Sequence, residues 1–537
     1  MKNILFSLFL TAAALIASGA EKPVPIPGAQ GWNLRCTDKK EIRIQGNTLC
    51  FDVTGKKSVM AAAKEPVKLI CHFGKIRVKG KFKGKGTFQI GFHSYTAQKY
   101  YATRTSRNLL LSSPDQFVDV EHVQLFGDFD LERTPLSLHP DRGFFCIYAF
   151  PGSKGVFKDL KFEITQGEVD KTSPISLEKP SAKEYPLQRR LLLPPVIYGV
   201  EGVETNLYYD NVFLVPDVKN YTFSFEYNTP GMNFADRWSF IPKKKDAGKT
   251  RSITLTVRGL NGETVAKKSF LLQVAPAQAG KGKKYSLLMI GDSITDYVKA
   301  YPTQVCDRFR KSGTAALTMI GTKLPYKGKD EAVKHEGYSG WAYATFLQKG
   351  PFVKMVNGFP VLDFEGYFKQ NNAGKAPDFV TIQLGVNDIF GARDYTVRTA
   401  VSGILSDMDQ MIKALRKAAP QAVIGIGLPT PGASQDAFGK VYGCRQTRYQ
   451  YKRNIFALSH AVIRRYHNSA DKKIFIVPIH VNLDTVNNFP AAMTPVNQGN
   501  TVQLSCQTDG LHPAPAGGRQ LGDALYGFLK YQMSLKK

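Results

Sequence analysis

The residues of this chain with the clearest capacity for chemistry are a serine, a histidine and an aspartate in its C-terminal half. Ser293 lies in Gly291-Asp292-Ser293-Ile294-Thr295, and Asp509-Gly510-Leu511-His512-Pro513 lies near the C-terminus. A serine hydroxyl is a poor nucleophile until an imidazole takes its proton, and the imidazole needs a carboxylate to fix its tautomer and stabilise its charge. His512 is the candidate base. Asp509, three residues earlier on a tight turn or first helical turn, is near enough to hold the other ring nitrogen. Acyl transfer by such a set passes through an oxyanion, which needs hydrogen-bond donors aimed at the developing charge. A second Asp-x-x-His, Asp119-Val120-Glu121-His122, is read as chance, because i and i+3 on a strand face opposite ways.

The elements that must position these residues begin at about Tyr285, where apolar strands alternate with helices. Strands are expected at 287–290, 317–320, 379–384, 423–427 and 474–477, and the clearest helix at 397–418, with Val401, Ile404, Leu405, Met408, Met411, Ile412 and Leu415 on one face. This alternation predicts a parallel sheet covered on both sides. Sites in such folds lie at the carboxyl ends of the strands. The first strand runs into the Ser293 segment, and the third ends in Gly385-Val386-Asn387-Asp388.

These two segments, with His335-Glu336-Gly337-Tyr338-Ser339-Gly340-Trp341 between them and the Asp509–His512 segment after them, resemble the SGNH (GDSL-type) hydrolase family. The four blocks stand in the family's order, and the resemblance covers about residues 285–533. It implies an α/β three-layer sandwich with a parallel, flavodoxin-like sheet, a Ser-His-Asp triad working through an acyl-enzyme, and no cofactor or metal. It carries the oxyanion donors over to the amides of Ser293 and Gly337 and the side chain of Asn387. Asp292 and Asp388 are assigned to hydrogen bonds that hold loops. The chain lacks G-x-S-x-G, H-E-x-x-H and the P-loop pattern, which leaves ordinary lipase, zinc-protease and P-loop chemistry without support. His335, His460, His467 and His480 are read as surface or satisfied core residues.

The rest of the chain reads as β structure behind an export signal. An apolar run at 4–16 followed by Ser18-Gly19-Ala20 is expected to be a signal peptide, residues 1–20, cleaved near Ala20. Short strands separated by Gly, Asp and Pro suggest a β-sandwich over 30–166, a candidate carbohydrate-binding domain, and a second small sandwich-like domain over 187–275. A small, flexible segment at 275–282 then leads into a hydrolase domain at 283–535. The alternating basic residues of Lys75-Ile76-Arg77-Val78-Lys79 are taken as the wet face of a strand. No later stretch is long and apolar enough to span a membrane. The expected location is therefore outside the cytoplasm: secreted, periplasmic or at the cell surface.

The seven cysteines show no zinc spacing; their odd number leaves at least one thiol free, and Cys444 with Cys506 is a guessed pair. The net charge of +28 suits an anionic partner such as an acidic polysaccharide or a cell envelope, while nucleic acid has no supporting motif. The aromatic segment 341–368 reads equally as a sugar or acyl platform and as core packing. The favoured expectation is deacetylation of a polysaccharide. The alternatives are a lipid or aryl esterase of the same fold, and a carbohydrate- or envelope-binding protein with an idle hydrolase domain. Oligomeric state is not legible.

Overall fold

The computed structural model describes residues 22–25, 32–35, 40–64, 67–68, 74–94, 100–101, 109–126, 142–166, 184–297, 301–356, 359–393, 396–435, 438 and 446–536. The expected signal peptide, Cys36, Cys71 and Cys444 lie outside the described residues. The chain divides into two compact units, Met1–Thr172 with Lys354–Val361, and Ser173–Val353 with Leu362–Lys537. No helix among the described residues is long and apolar enough to cross a membrane.

The first unit is antiparallel β structure built on one long strand, Gly74–Ser94. Along one side this strand pairs with Leu109–Phe126; along the other it pairs first with Lys154–Gln166 and then with Arg142–Ala149. Near that change of partner Gly84 has φ +133°, and a Cβ there would come 2.4 Å from Gly155 Cα, so only glycine permits the approach. Val78, Phe82 and Phe88 point into a core shared with Phe51 and Phe157, whose rings meet Phe88 at 5.6 and 4.9 Å. The alternate residues Lys79, Lys81, Lys83 and Lys85 are exposed or half-buried. Period-two alternation thus divides an apolar face from a basic one.

The second unit begins with the 187–275 region. A four-stranded sheet of Val196–Val200, Thr264–Ala275, Thr250–Arg258 and Thr222–Phe225 and a three-stranded sheet of Thr205–Tyr208, Arg237–Phe240 and Met232–Asn233 enclose a core around Tyr209, Trp238, Leu255 and Phe270. This region has its own core yet shares a compact unit with the hydrolase region. Val481 joins that core, Asn206 N donates to Asn482 Oδ1 at 2.7 Å, and Asn211 Nδ2 donates to the carbonyls of His480 and Leu483 at 2.9 and 2.8 Å. Asp210 is bound by Arg448 and Lys452. Both cations, with burial opposing them, hold its carboxyl below the usual range.

The hydrolase region carries the predicted parallel sheet. Its strands are β1 (Lys284–Gly291), β2 (Ala316–Ile320), β3 (Glu336–Gly337), β4 (Phe379–Gln383), β5 (Val423–Gly427) and β6 (Ile474–Val477). They run in the order β2-β1-β4-β5-β6, all parallel, with short β3 pairing the end of β1 beyond β2. Apart from β3 this is the flavodoxin-like order, with its switch point between β1 and β4. The helices are α1 (Ser293–Asp296), α2 (Tyr301–Ser312), α3 (Tyr343–Lys349), α4 (Phe364–Asn371), α5 (Val386–Ile389), α6 (Val397–Ala418), α7 (Arg448–Tyr466) and α8 (Pro515–Leu535). Helix α2 packs on α8, and α6 on α7.

A hairpin of β7 (Ala491–Asn497) and β8 (Asn500–Gln507) stands out from this body, with Met493, Val496, Val502 and Leu504 exposed. Its base is clamped: Gln507 Nε2 donates to the carbonyls of Thr485 and Val486, while Gln435 exchanges side-chain and backbone hydrogen bonds with Gln507. Cys506, the guessed partner of Cys444, is a free thiol on β8, where its cross-strand neighbour is Ala492.

Helix α8 carries a further contact between the two parts of this unit. Tyr198 packs edge-on against Phe528 at 5.1 Å, and a Cβ on Gly527 would come 2.7 Å from the Tyr198 carbonyl oxygen. Gly527→Ala must push α8 off the strand 196–200, and is expected to lower unfolding stability by about 1–3 kcal/mol. Urea denaturation checks this; an unchanged midpoint would mean the helix is free to stand off.

Candidate active site

The candidate nucleophile, Ser293, is placed by the end of β1. Asp292 caps α1, its side chain accepting the Ile294 amide at 2.9 Å, and this turn presents Ser293 as the first helical residue. On the adjacent strand a different turn serves: β4 leads to Gly385, whose φ of +112° turns the chain into α5, without a side-chain cap, and presents Asn387. Parallel pairing of β1 with β4 therefore sets Ser293 and Asn387 on neighbouring strand ends.

The Asp509–His512 turn comes from the other side of the site, between β8 and α8. Asp509 Oδ1 accepts the amides of Leu511 and His512 at 2.8 and 2.9 Å, which folds the turn, while Oδ2 lies 3.0 Å from His512 Nδ1. His512 Nε2 lies 2.8 Å from Ser293 Oγ. With the proton on Nδ1, Nε2 is the acceptor for the serine hydroxyl. The side chains of His512 and Asp509 are 19% and 22% exposed, so the pair is sheltered but open to a substrate.

The expectation for Gly337 needs correction. Its amide, assigned as an oxyanion donor, donates instead to His335 Nδ1 at 2.9 Å. Burial and the nearby Lys323 push His335 down to about 4, so its ring is neutral and Nδ1 can accept. Glycine at 337 answers a packing need, since a Cβ there would come 2.9 Å from the Thr295 side chain. The segment has a second glycine, Gly340, at φ +76° in a turn closed by the Trp341 amide on the Tyr338 carbonyl. That turn is tied at one end to the carbonyl of Gly291, through the Tyr338 amide, and at the other to Asn387 Nδ2, through the Trp341 carbonyl at 3.1 Å. The Gly340 amide has no hydrogen-bond partner among the described residues. Asn387 keeps its second amide hydrogen for another acceptor.

The buried carboxyl of Glu336 fixes the start of this segment, accepting from the Thr322 amide and hydroxyl, Tyr338 and Tyr367 at 2.5–2.9 Å. The aromatic segment 341–368 is mostly packing: Tyr343, Phe346, Phe352, Phe364, Tyr367 and Phe368 are buried, while Trp341 is half-buried and stacked on Tyr338 at 4.1 Å. Among the described residues no group of three or more His, Cys, Asp or Glu side chains is gathered to hold a metal.

One residue at the site escaped the sequence reading. Tyr297 lies with its ring nearly parallel to that of His512, centroids 5.5 Å apart, and is 37% exposed. Its place just after the four residues of α1 is the only signal the sequence offers. A ring face against an imidazole that becomes cationic stabilises the charged form and limits its rotation. Tyr297→Ala is expected to lower kcat on a small ester about two- to five-fold with KM little changed, and Tyr297→Phe to restore it. A rise in KM alone would make the tyrosine a substrate contact.

Residues 289–520 match the GDSL-like Lipase/Acylhydrolase family. That part of the chain is a GDSL-like domain. Over 184 residues, 32% of this chain and 70% of the relative, the chain is 28% identical to an acetylxylan esterase of Geobacillus stearothermophilus. Among solved structures it is similar to a family 3 carbohydrate esterase from Talaromyces cellulolyticus, at 18% identity over 46% of this chain and 98% of the other, TM-score 0.31. It is also similar to an acetyl xylan esterase from the rumen bacterium Butyrivibrio proteoclasticus, at 12% identity over 96% of this chain and 99% of the other, TM-score 0.26. The GDSL-like domain is a carboxylic ester hydrolase.

Asp292 and Asp388, the aspartates of two family blocks, hold their loops at a cost. Asp388 accepts the Tyr343 amide at 3.0 Å, and burial raises both carboxyls to about 7. A carboxyl that binds its proton more tightly when folded contributes stability that is complete below about 4 and lost as pH rises through about 7. Asp388→Asn cannot ionise, so in thermal melts it should match the wild type near pH 4 and exceed it near pH 8. A difference independent of pH would mean that the aspartate is already compensated in its ionised form.

Proposed function

We propose that this protein is an exported serine esterase that removes acetyl groups from a polysaccharide, with Ser293 as nucleophile, His512 as general base and acid, and Asp509 as the orienting carboxylate. The observation carrying this reading is the pair of contacts on one imidazole, 2.8 Å to Ser293 Oγ and 3.0 Å to Asp509 Oδ2. Attack of Oγ on the ester carbonyl passes its proton to Nε2. The resulting oxyanion is held by the amide of Ser293, the amide of Gly340 in place of that of Gly337, and Asn387 Nδ2. Collapse expels the sugar alkoxide, which takes the proton from Nε2, and leaves an acetyl ester on Ser293. Water deprotonated by His512 then attacks that ester and releases acetate.

The acetyl group and the carbohydrate are favoured by the likeness to an acetylxylan esterase over 184 residues. Export is inferred from the apolar N-terminal segment; the first residue of the mature protein recovered outside the cytoplasm is expected to be Glu21.

Hydrolysis of p-nitrophenyl esters from acetate to octanoate, alongside acetate release from acetylated polysaccharides, tests the reading. Acetate-selective turnover that vanishes in Ser293→Ala is the expected result, and Asn387→Ala should lower kcat about 10²- to 10³-fold. Preference for octanoate would move the substrate to lipids. Activity that survives Ser293→Ala would remove the proposed nucleophile.

A further inference from the structure

The first unit carries a charge arrangement that esterase chemistry does not use. On the strand Gly74–Ser94 and its neighbour Lys154–Gln166, lysines stand directly opposite lysines three times: Lys85 with Lys154, Lys81 with Lys158, and Lys79 with Lys161. Lys83 lies on the same face between the first two pairs. Residues paired across antiparallel strands share a face at roughly 5 Å between Cβ atoms, so like charges placed there repel and weaken the sheet. The far face of the same strands is ordinary core, with Val78, Phe82, Phe157 and Phe162 buried.

The neighbouring strands answer this charge only in part. Asp52 pairs with Lys154 at 3.0 Å, and Asp119 and Glu121 stand in register with Lys81 and Lys79. Seven lysines therefore face three acidic positions, and the lysines occupy the two central strands while the acids lie on the strands to either side. The basic stripe runs along the strand from residue 79 to 85, roughly 20 Å at the usual rise per residue. A line of cations along a pair of strands suits a linear chain of anions, which would relieve the repulsion between the opposed pairs.

We infer that this lysine face is a binding site for a linear acidic polysaccharide, a polymer with carboxylates or sulfates repeating along its length. A single-stranded nucleic acid calls for aromatic platforms on which bases stack. Among the described residues a single exposed ring, Phe117, is placed against these lysines, with Lys158 Nζ over it at 4.1 Å. This face belongs to the first unit and Ser293 to the second, and the inference holds whether or not the esterase reading does.

The full-length protein, probed with sodium polygalacturonate, tests this. Lys81→Gln, Lys85→Gln and Lys161→Gln together remove one lysine from each opposed pair, and all three are exposed. Lys244→Gln, Lys245→Gln and Lys281→Gln remove the same charge from exposed positions of the second unit. The ladder triple is expected to bind at least about tenfold more weakly at low salt while the control triple stays near wild type, because the effect is local charge density and not net charge. The ladder triple should also melt at a higher temperature at low salt, since the repulsion is relieved, and both triples should hydrolyse p-nitrophenyl acetate at the wild-type rate. Equal loss in the two triples, or no binding by the wild type at low salt, would overturn the proposal. Tighter binding of a neutral xylan or of single-stranded DNA than of polygalacturonate would overturn it as well.

Discussion

The site depends on the parallel pairing of β1 with β4. In a parallel sheet every strand ends on the same edge, and at this position the order of strands reverses, so the loops leaving β1 and β4 diverge and open a crevice between them. Ser293 leaves one of these strand ends and Asn387 the other. Neither could be moved along the sheet without losing its neighbour, because the register that joins Leu287 to Phe379 also joins Gly291 to Gln383. The third contribution, from Asp509 and His512, hangs on no strand of the parallel sheet. It is a short turn whose internal hydrogen bonds set its shape before it meets the serine.

Each strand end is followed by a buried aspartate that accepts a backbone amide, but Asp292 caps its own helix α1, whereas Asp388 reaches across to the first residue of α3. One oxygen of Asp292 holds the Ile294 amide and one oxygen of Asp388 holds the Tyr343 amide; the second oxygen of each is buried without a partner among the described residues. Burial drives both carboxyls toward the neutral form, so the turns are held with less charge in the site than two ionised aspartates would bring. Rigid loops are thus obtained with little electrostatic interference at His512.

What could be read from the sequence followed from periodicity and order. The five long strands and the helix Val397–Ala418 sit where alternation places them, because apolar periodicity leaves little choice. Gly337 and Gly340 could not be told apart that way. Which of two nearby amides is free depends on whether His335 turns its ring back onto the residue two positions later, and that is a matter of local packing. Tyr297 carried no pattern at all, since its contact with His512 spans most of the hydrolase region. The 187–275 region showed its strands plainly, but the asparagines that tie it to the hydrolase region, Asn206, Asn211 and Asn482, look like ordinary loop residues until their partners are in view. The aromatic run at 341–368 offered two readings because aromatic residues fill cores and line pockets alike.

The clamp at the base of the β7–β8 hairpin has a consequence for how such a protein can diverge. From Thr485 to Thr508 the chain has no charged side chain, its longest such run, and Asp509 follows at once. Gln435 and Gln507 pin both ends of the excursion to the same place. Whatever happens beyond the clamp, in length, sequence or twist, is mechanically insulated from Asp509 and His512, which follow it. The hairpin is in this sense an exchangeable cassette: drift can rewrite it, and recombination can replace it, while the geometry that serves Ser293 is inherited intact.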